Sequence, residues 1–191
     1  MIKIGILGGI GSGKSFVAKQ FGCPVFNADN EVAKIYKKDR KCFIRLNKEF
    51  PKKIKSFPVD KKEIVSSILS NPKNLKKIIQ IIHPLVRKKM NNFIYKNRNK
   101  KMIIFDVPLL LENNLNKKGY ILIFVHAKKE KIIKKLRKRN NYNSKIIRIL
   151  KKSQFSLAYK KKKSNYIINN NFTNKSIKKS VRLLKNKILK K

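Results

Sequence analysis

Apolar residues in this chain fall into short continuous runs separated by longer stretches of helical spacing. Ile2-Lys3-Ile4-Gly5-Ile6-Leu7 stops at Gly8-Gly9 and reads as a buried strand entering a turn. Residues 14–21 can form a helix, which Gly22 and then Pro24 stop. Val25-Phe26 is a second short strand, and Asp29 stands where a following helix would start. Between about 60 and 95 the pattern is strongly helical, with Ile64, Ile68 and Leu69 on one face and Leu75, Ile78, Ile79 and Ile82 on another. Met102-Ile103-Ile104-Phe105, ending at Asp106, and residues 120–125 read as strands three and four. A basic helix is expected over 129–138, a further helix over about 144–159, and a last strand at Tyr166-Ile167-Ile168. A C-terminal helix then places Ile177, Val181, Leu184 and Ile188 inside.

Short strands that are apolar throughout and alternate with helices indicate an α/β fold with a parallel sheet covered on both faces. No internal repeat and no long linker interrupts the pattern, so residues 1–191 are expected to form one domain. The helical stretch between strands two and three is the expected lid or insertion.

Charge complicates this picture. The chain carries 51 Lys+Arg against 9 Asp+Glu, a net +42, which suggests a polyanion-binding protein. Only 8 of the basic residues are Arg, however, and the remaining 43 Lys are accompanied by 21 Asn and 27 Ile. These three residues have A/T-rich codons, so drift toward A/T explains the excess without a selected ligand, with ligand-driven charge as the alternative. Cys23 and Cys42 provide neither a disulfide framework nor metal-ligand spacing and read as reduced thiols. No apolar run reaches membrane-span length, and the first apolar stretch ends in a glycine loop rather than a cleavage site. The expectation is a soluble, cytoplasmic protein.

The strongest motif is Gly8-Gly9-Ile10-Gly11-Ser12-Gly13-Lys14-Ser15, which fits G-x-x-x-x-G-K-[ST] between a strand and a helix. Glycines let backbone N–H groups turn inward around an anion, and the following helix adds its positive end. Lys14 then supplies a point charge to the β- and γ-phosphates, and the Ser15 hydroxyl a Mg²⁺ ligand. The chain is expected to bind a nucleoside triphosphate through Gly9, Gly11, Ser12, Gly13, Lys14, Ser15 and Phe16.

Four stretches together resemble the dephospho-CoA kinase family. They are this loop, Asn27-Ala28-Asp29, Ile82-His83-Pro84-Leu85-Val86, and Phe105-Asp106-Val107-Pro108-Leu109-Leu110-Leu111-Glu112. Weaker matches run to the end of the chain. The resemblance implies a P-loop kinase fold with an acceptor-binding insertion near 60–95 and a lid near 129–160. It also implies transfer of the γ-phosphate of ATP, with Mg²⁺, to the ribose 3′-hydroxyl of dephospho-CoA. On this reading Lys14 and Asp29 are catalytic, Asp29 as the general base; His83, Asp106 and Glu112 are substrate-binding. Arg139 comes from the lid and Asn170 lies by the adenine.

Physical readings stand beside these roles. Asp29 at the C-terminal edge of a strand faces the ligand crevice of an open sheet, or else caps a helix beginning near Asn30. Asp106 ends an apolar strand as a Mg²⁺-associated carboxylate does, or orients the Val107-Pro108 turn. His83, preceding a proline, is expected in an extended or turn conformation. The chain departs from the family at Asn27, which replaces an Asp, and at Phe16, which replaces a Thr and offers only its backbone N–H. Lys135 stands where another Arg is common, and Asn140 replaces an Asp.

Two rivals remain at this point: a small-molecule P-loop kinase with a nucleotide or polyol acceptor, and a basic nucleic-acid-binding protein with a vestigial loop. The expected partner is a small molecule, without specific nucleic acid or membrane, in a monomer or weak homo-oligomer. If the charge is drift, DNA or RNA binding is indifferent to sequence and collapses between about 50 and 200 mM salt. Over the same salt series the kinase kcat stays nearly level while kcat/KM falls modestly. Tight, sequence-selective binding at physiological salt with no coenzyme A formed promotes the nucleic-acid rival instead.

Overall fold

A computed structural model describes residues 1–116 and 119–190. The chain divides into two compact units: Met1–Asn27, Lys96–Tyr142 and Lys151–Lys191 form the first, and Ala28–Tyr95 with Asn143–Leu150 the second.

The first unit holds a five-stranded sheet of β1 (Ile2–Gly8), β2 (Val25–Asn27), β3 (Met102–Asp106), β4 (Tyr120–His126) and β5 (Tyr166–Asn169). Its order is β2-β3-β1-β4-β5 and every pairing is parallel. Continuous apolar strands fit a sheet buried on both faces, as the sequence pattern requires. Ile4 lies beside Ile104, and Ile6 beside Ile123, so alternate residues form one apolar face. Against it pack Val17, Ala18 and Phe21 of α1 (Lys14–Gln20) and its C-cap, with Ile177, Val181 and Ile188 of α9 (Asn174–Leu189). The opposite face carries Phe105, whose ring lies 6.2 Å from Phe26 and 5.2 Å from Tyr120. On that face the turn after β3 brings Leu110, fully buried, onto Gly5. A Cβ at Gly5 would stand 2.5 Å from Leu110 Cδ2 and 2.9 Å from Leu122 Cδ2.

The second unit contains α2 (Ala28–Lys38), α3 (Arg40–Glu49), α4 (Lys61–Ser70) and α5 (Asn74–Lys96). The expected helical stretch over 60–95 is two helices because Asn71 and Pro72 interrupt it. Asp39 and Asp60 cap α3 and α4, accepting from the Cys42 and Lys62 amides at 2.9 and 2.8 Å. Ile64 and Ile68 are buried as expected, whereas Leu69 faces solvent.

His83 departs from expectation. It lies inside α5, not in a turn, although Pro84 follows it. The buried stripe Leu75, Ile78, Ile82, Val86 and Met90 continues through this point. Its burial outweighs the local pre-proline preference. Pro84 sits on the exposed side, and the carbonyl left unpaired four residues earlier belongs to exposed Gln80, where water can satisfy it.

The stretch expected as one helix over 144–159 is two, α7 (Ser144–Lys152) and α8 (Leu157–Lys162). Ser156 Oγ accepts the Tyr159 N–H at 3.1 Å and starts α8 afresh. This local bond competes with continuation of the preceding helix. A basic helix, α6 (Lys129–Arg137), follows β4 as expected. Among the described residues no helix is long and apolar enough to cross a membrane.

Gly5→Ala is expected to destabilise the fold by about 1–3 kcal/mol through overpacking. Combining it with Leu110→Ala should cost less than the sum of the two single changes. Denaturant titrations of the four species check this, and strict additivity would separate the two residues.

Candidate functional site

The phosphate loop leaves β1 with Gly11 and Gly13 at φ 80° and 88°, backbone that glycine adopts without a Cβ clash. Neighbours also press on these positions. A Cβ at Gly13 would meet Asn170 Nδ2 at 2.2 Å, and one at Gly11 would meet Leu136 Cγ at 2.8 Å. Ser12 N–H donates to the Gly9 carbonyl at 3.2 Å, closing the turn. Lys14 Nζ donates to the carbonyls of Gly8 and Gly9 at 3.1 and 2.9 Å, so the ammonium also holds the loop backbone. Ser15 and Phe16, in the first turn of α1, are exposed. Amides of a first helical turn have no partner one turn earlier and can bond an anion.

Ser12 of the loop and Asn170 after β5 behave differently from the expectation of open contact groups. Ser12 is 1% exposed, and its hydroxyl has no hydrogen-bond partner among the described residues. Its carbonyl accepts from Asn170 Nδ2 at 2.8 Å. Asn170 is likewise buried, and its Oδ1 accepts the Phe172 N–H at 2.8 Å. Both ends of this amide are therefore engaged in fixing the loop and the backbone entering α9.

The first unit also brings two motif residues together at the sheet's C-terminal edge. Asn27 and Asp106 are register partners on β2 and β3, and Asn27 Nδ2 donates to Asp106 Oδ2 at 2.6 Å. Asp106 is almost fully buried, so a neutral donor beside it avoids placing two carboxylates in contact. Glu112 Oε1 accepts from Lys160 Nζ at 2.8 Å and from the Phe155 N–H at 2.9 Å. Its Oε2 is buried without a partner among the described residues. Ile132 and Leu136 of α6 lie against Gly11. Arg139, just past that helix, is exposed, as are Lys135 and Asn140.

In the second unit, Asp29 is exposed in the first turn of α2, which begins at Ala28 rather than near Asn30. It is thus inside the helix rather than its cap, where the helix dipole favours a carboxylate. His83 is half-buried in α5; burial, with the nearby Arg87 cation second, lowers its pKa and favours the neutral ring. A cavity of about 270 Å³ lies between α3 and α5, lined in part by Arg45, Lys88 and Lys89. Cys42 on its wall is no ready nucleophile, since burial first, and then Asp39, push its thiol up to about 11.

The family model described as dephospho-CoA kinase matches residues 2–176. The chain belongs to the dephospho-CoA kinase family. A Wolbachia pipientis dephospho-CoA kinase is 33% identical over 170 residues, 86% of this chain and 87% of the relative. One from Leptospira interrogans is 31% identical, covering 87% and 83%. The fold is similar to that of a Thermus thermophilus protein at 22% identity, TM-score 0.77, with 97% of each chain covered. It is also similar to a dephospho-CoA kinase from Campylobacter jejuni at 22% identity, TM-score 0.63, covering 97% and 96%.

Sequence reading missed three contacts among these residues: Asn27 with Asp106, Asn170 with the Ser12 carbonyl, and Lys160 with Glu112. The first could have been sought in the strand pairing, since both residues end adjacent strands. The other two join positions far apart in sequence and left no local signal.

Asn27→Asp is expected to place two carboxylates in contact and to lower stability by about 1–3 kcal/mol at neutral pH. Repulsion needs both groups ionised, so the loss appears as pH rises from about 4 to 7 and shrinks again in acid. Thermal melts of both proteins across that range read it, and a pH-independent difference would contradict the pairing.

Proposed function

We propose that this chain transfers the γ-phosphoryl group of ATP to the ribose 3′-hydroxyl of dephospho-CoA, giving coenzyme A. The observation that carries the reading is the pinned phosphate loop beside a sheet edge where Asn27 and Asp106 meet, in a chain of this family. Ligands of open α/β sheets bind at that edge.

The loop amides and the positive end of α1 receive the triphosphate. Lys14 has its ammonium at the loop mouth, on the Gly8 and Gly9 carbonyls, and exchanges these contacts for phosphate oxygens. A cation there stabilises charge developing on the transferring group. Asp29, two residues beyond β2 along the chain, accepts the proton of the attacking hydroxyl. Arg139 adds a second cation over the phosphates. His83, neutral at pH 7, and Glu112 contact the acceptor. Asn170 acts on the nucleotide side, with its buried amide holding the loop.

The donor set suits Mg²⁺. Among the described residues no group of three His, Cys, Asp or Glu could cage a metal alone. Mg²⁺ in kinases uses one or two protein oxygens and the substrate phosphates. The Ser15 hydroxyl, exposed beside the loop, provides a hard oxygen donor of that kind, with the buried Asp106 carboxylate acting from behind the ion's own ligands and on the substrate side. Bound there, the ion would neutralise phosphate charge.

Purified protein with ATP, Mg²⁺ and dephospho-CoA is expected to form coenzyme A; phosphorylation of a different acceptor in a panel would redirect the reading to another small-molecule kinase. Asp29→Asn should keep ATP binding and lower kcat by roughly 10² to 10⁴. Unchanged kcat with a lower Tm would make Asp29 a helix-dipole residue only. Lys14→Ala should abolish transfer and, because two loop hydrogen bonds go with it, also lower Tm slightly. Near-normal turnover in that variant would remove the loop from the chemistry.

A further inference from the structure

Among the described residues the lysines of this chain are exposed or half-buried. Lys160 is the exception. Its side chain is 1% exposed, and among the described residues it is the one buried lysine. Lys161, Lys162 and Lys163, which follow directly, all face solvent. Burying an ammonium is costly unless its charge and donors are met. Here they are met by Glu112 Oε1 at 2.8 Å and Gln154 Oε1 at 3.1 Å.

An ion pair of this kind is no better for stability than well-packed apolar residues of the same volume. Its particular consequence is what it joins. Glu112 lies in the turn that follows β3, and Leu110 of that turn is seated on Gly5 of β1. The same Glu112 oxygen receives the Phe155 N–H, so residues 155 and 160 meet on one carboxylate oxygen, and Gln154 joins them through the Lys160 ammonium. Between them Leu157 opens α8, with Cδ2 3.5 Å from the Cβ position of Gly9. Gly9 is a hub of the phosphate loop, since its carbonyl accepts both Lys14 Nζ and Ser12 N–H.

We propose that Lys160 is a positioning residue of the phosphate site: through Glu112 it fixes the Phe155–Lys160 segment against the turn after β3, and so holds Leu157 on Gly9. The expected effect on ATP rests on the kinase reading of the loop. It does not depend on the identity of the acceptor.

The test compares the wild-type protein with Lys160→Arg, Lys160→Met and the double variant Lys160→Met, Glu112→Met. Affinity for a fluorescent ATP analogue is measured below the melting transition, together with Tm and coenzyme A formation. Lys160→Met leaves a buried carboxylate unpaired and is expected to lower Tm and to weaken ATP binding by roughly 10-fold. Lys160→Arg should retain ATP affinity within about 3-fold, since charge and donors are kept. In the double variant Tm returns toward the wild-type value while ATP binding stays weak. This readout is independent of any acceptor contact made by Glu112. Wild-type ATP affinity in the double variant overturns the proposal, reducing the pair to a structural one. A wild-type chain that binds ATP but forms no coenzyme A sinks the acceptor reading alone, and the ATP affinities still decide the role of Lys160.

Discussion

The amide of Asn170 donates to the Ser12 carbonyl from the far end of the chain, and the arrangement of the phosphate loop depends on that buried bond. A loop that presents its amides to an anion must point its own carbonyls elsewhere, and a buried carbonyl needs a donor. Asn170 supplies it from the end of β5, while its Oδ1 takes the Phe172 N–H at the entrance to α9. The approach is so close that Gly13 has no room for a Cβ. Leu136 of α6 imposes a similar limit above Gly11, whereas Leu157 of α8 rests on Gly9 at ordinary van der Waals distance. Gly11 and Gly13 therefore answer two demands together, left-handed backbone and the close approach of a neighbouring side chain, Leu136 and Asn170 respectively.

Carboxylates are scarce here, and their placement is correspondingly informative. With 9 acidic residues against 51 basic ones, ion pairing cannot organise the surface, and exposed pairs such as Lys34 with Glu31 contribute little. Asp39 and Asp60 start helices. Asp106 and Glu112 are withdrawn from water at the sheet edge and in the turn that follows it, each with a dedicated donor. Asn27 belongs to the same logic. It gives Asp106 a neutral hydrogen-bond donor where a second carboxylate would repel it.

Sequence by itself determined the fold class, because strands apolar throughout can be buried only in a parallel sheet covered on both faces. It also located the phosphate loop and the family motifs, since glycine, lysine and serine at fixed spacing have few other uses. Tertiary structure decided the rest. Pro84 argued for a turn at His83, yet one unbroken buried stripe kept α5 helical, because burial summed over many residues exceeds a single local preference. Ser156 split a stretch whose spacing suited one helix, through a cap only three-dimensional placement could select. Among four consecutive lysines, 160–163, nothing in the sequence distinguishes the buried one from its solvated neighbours. Which lysine meets Glu112, and which Asn of the 169–171 cluster meets Ser12, depends on contacts between residues remote along the chain, and local spacing carries no record of them.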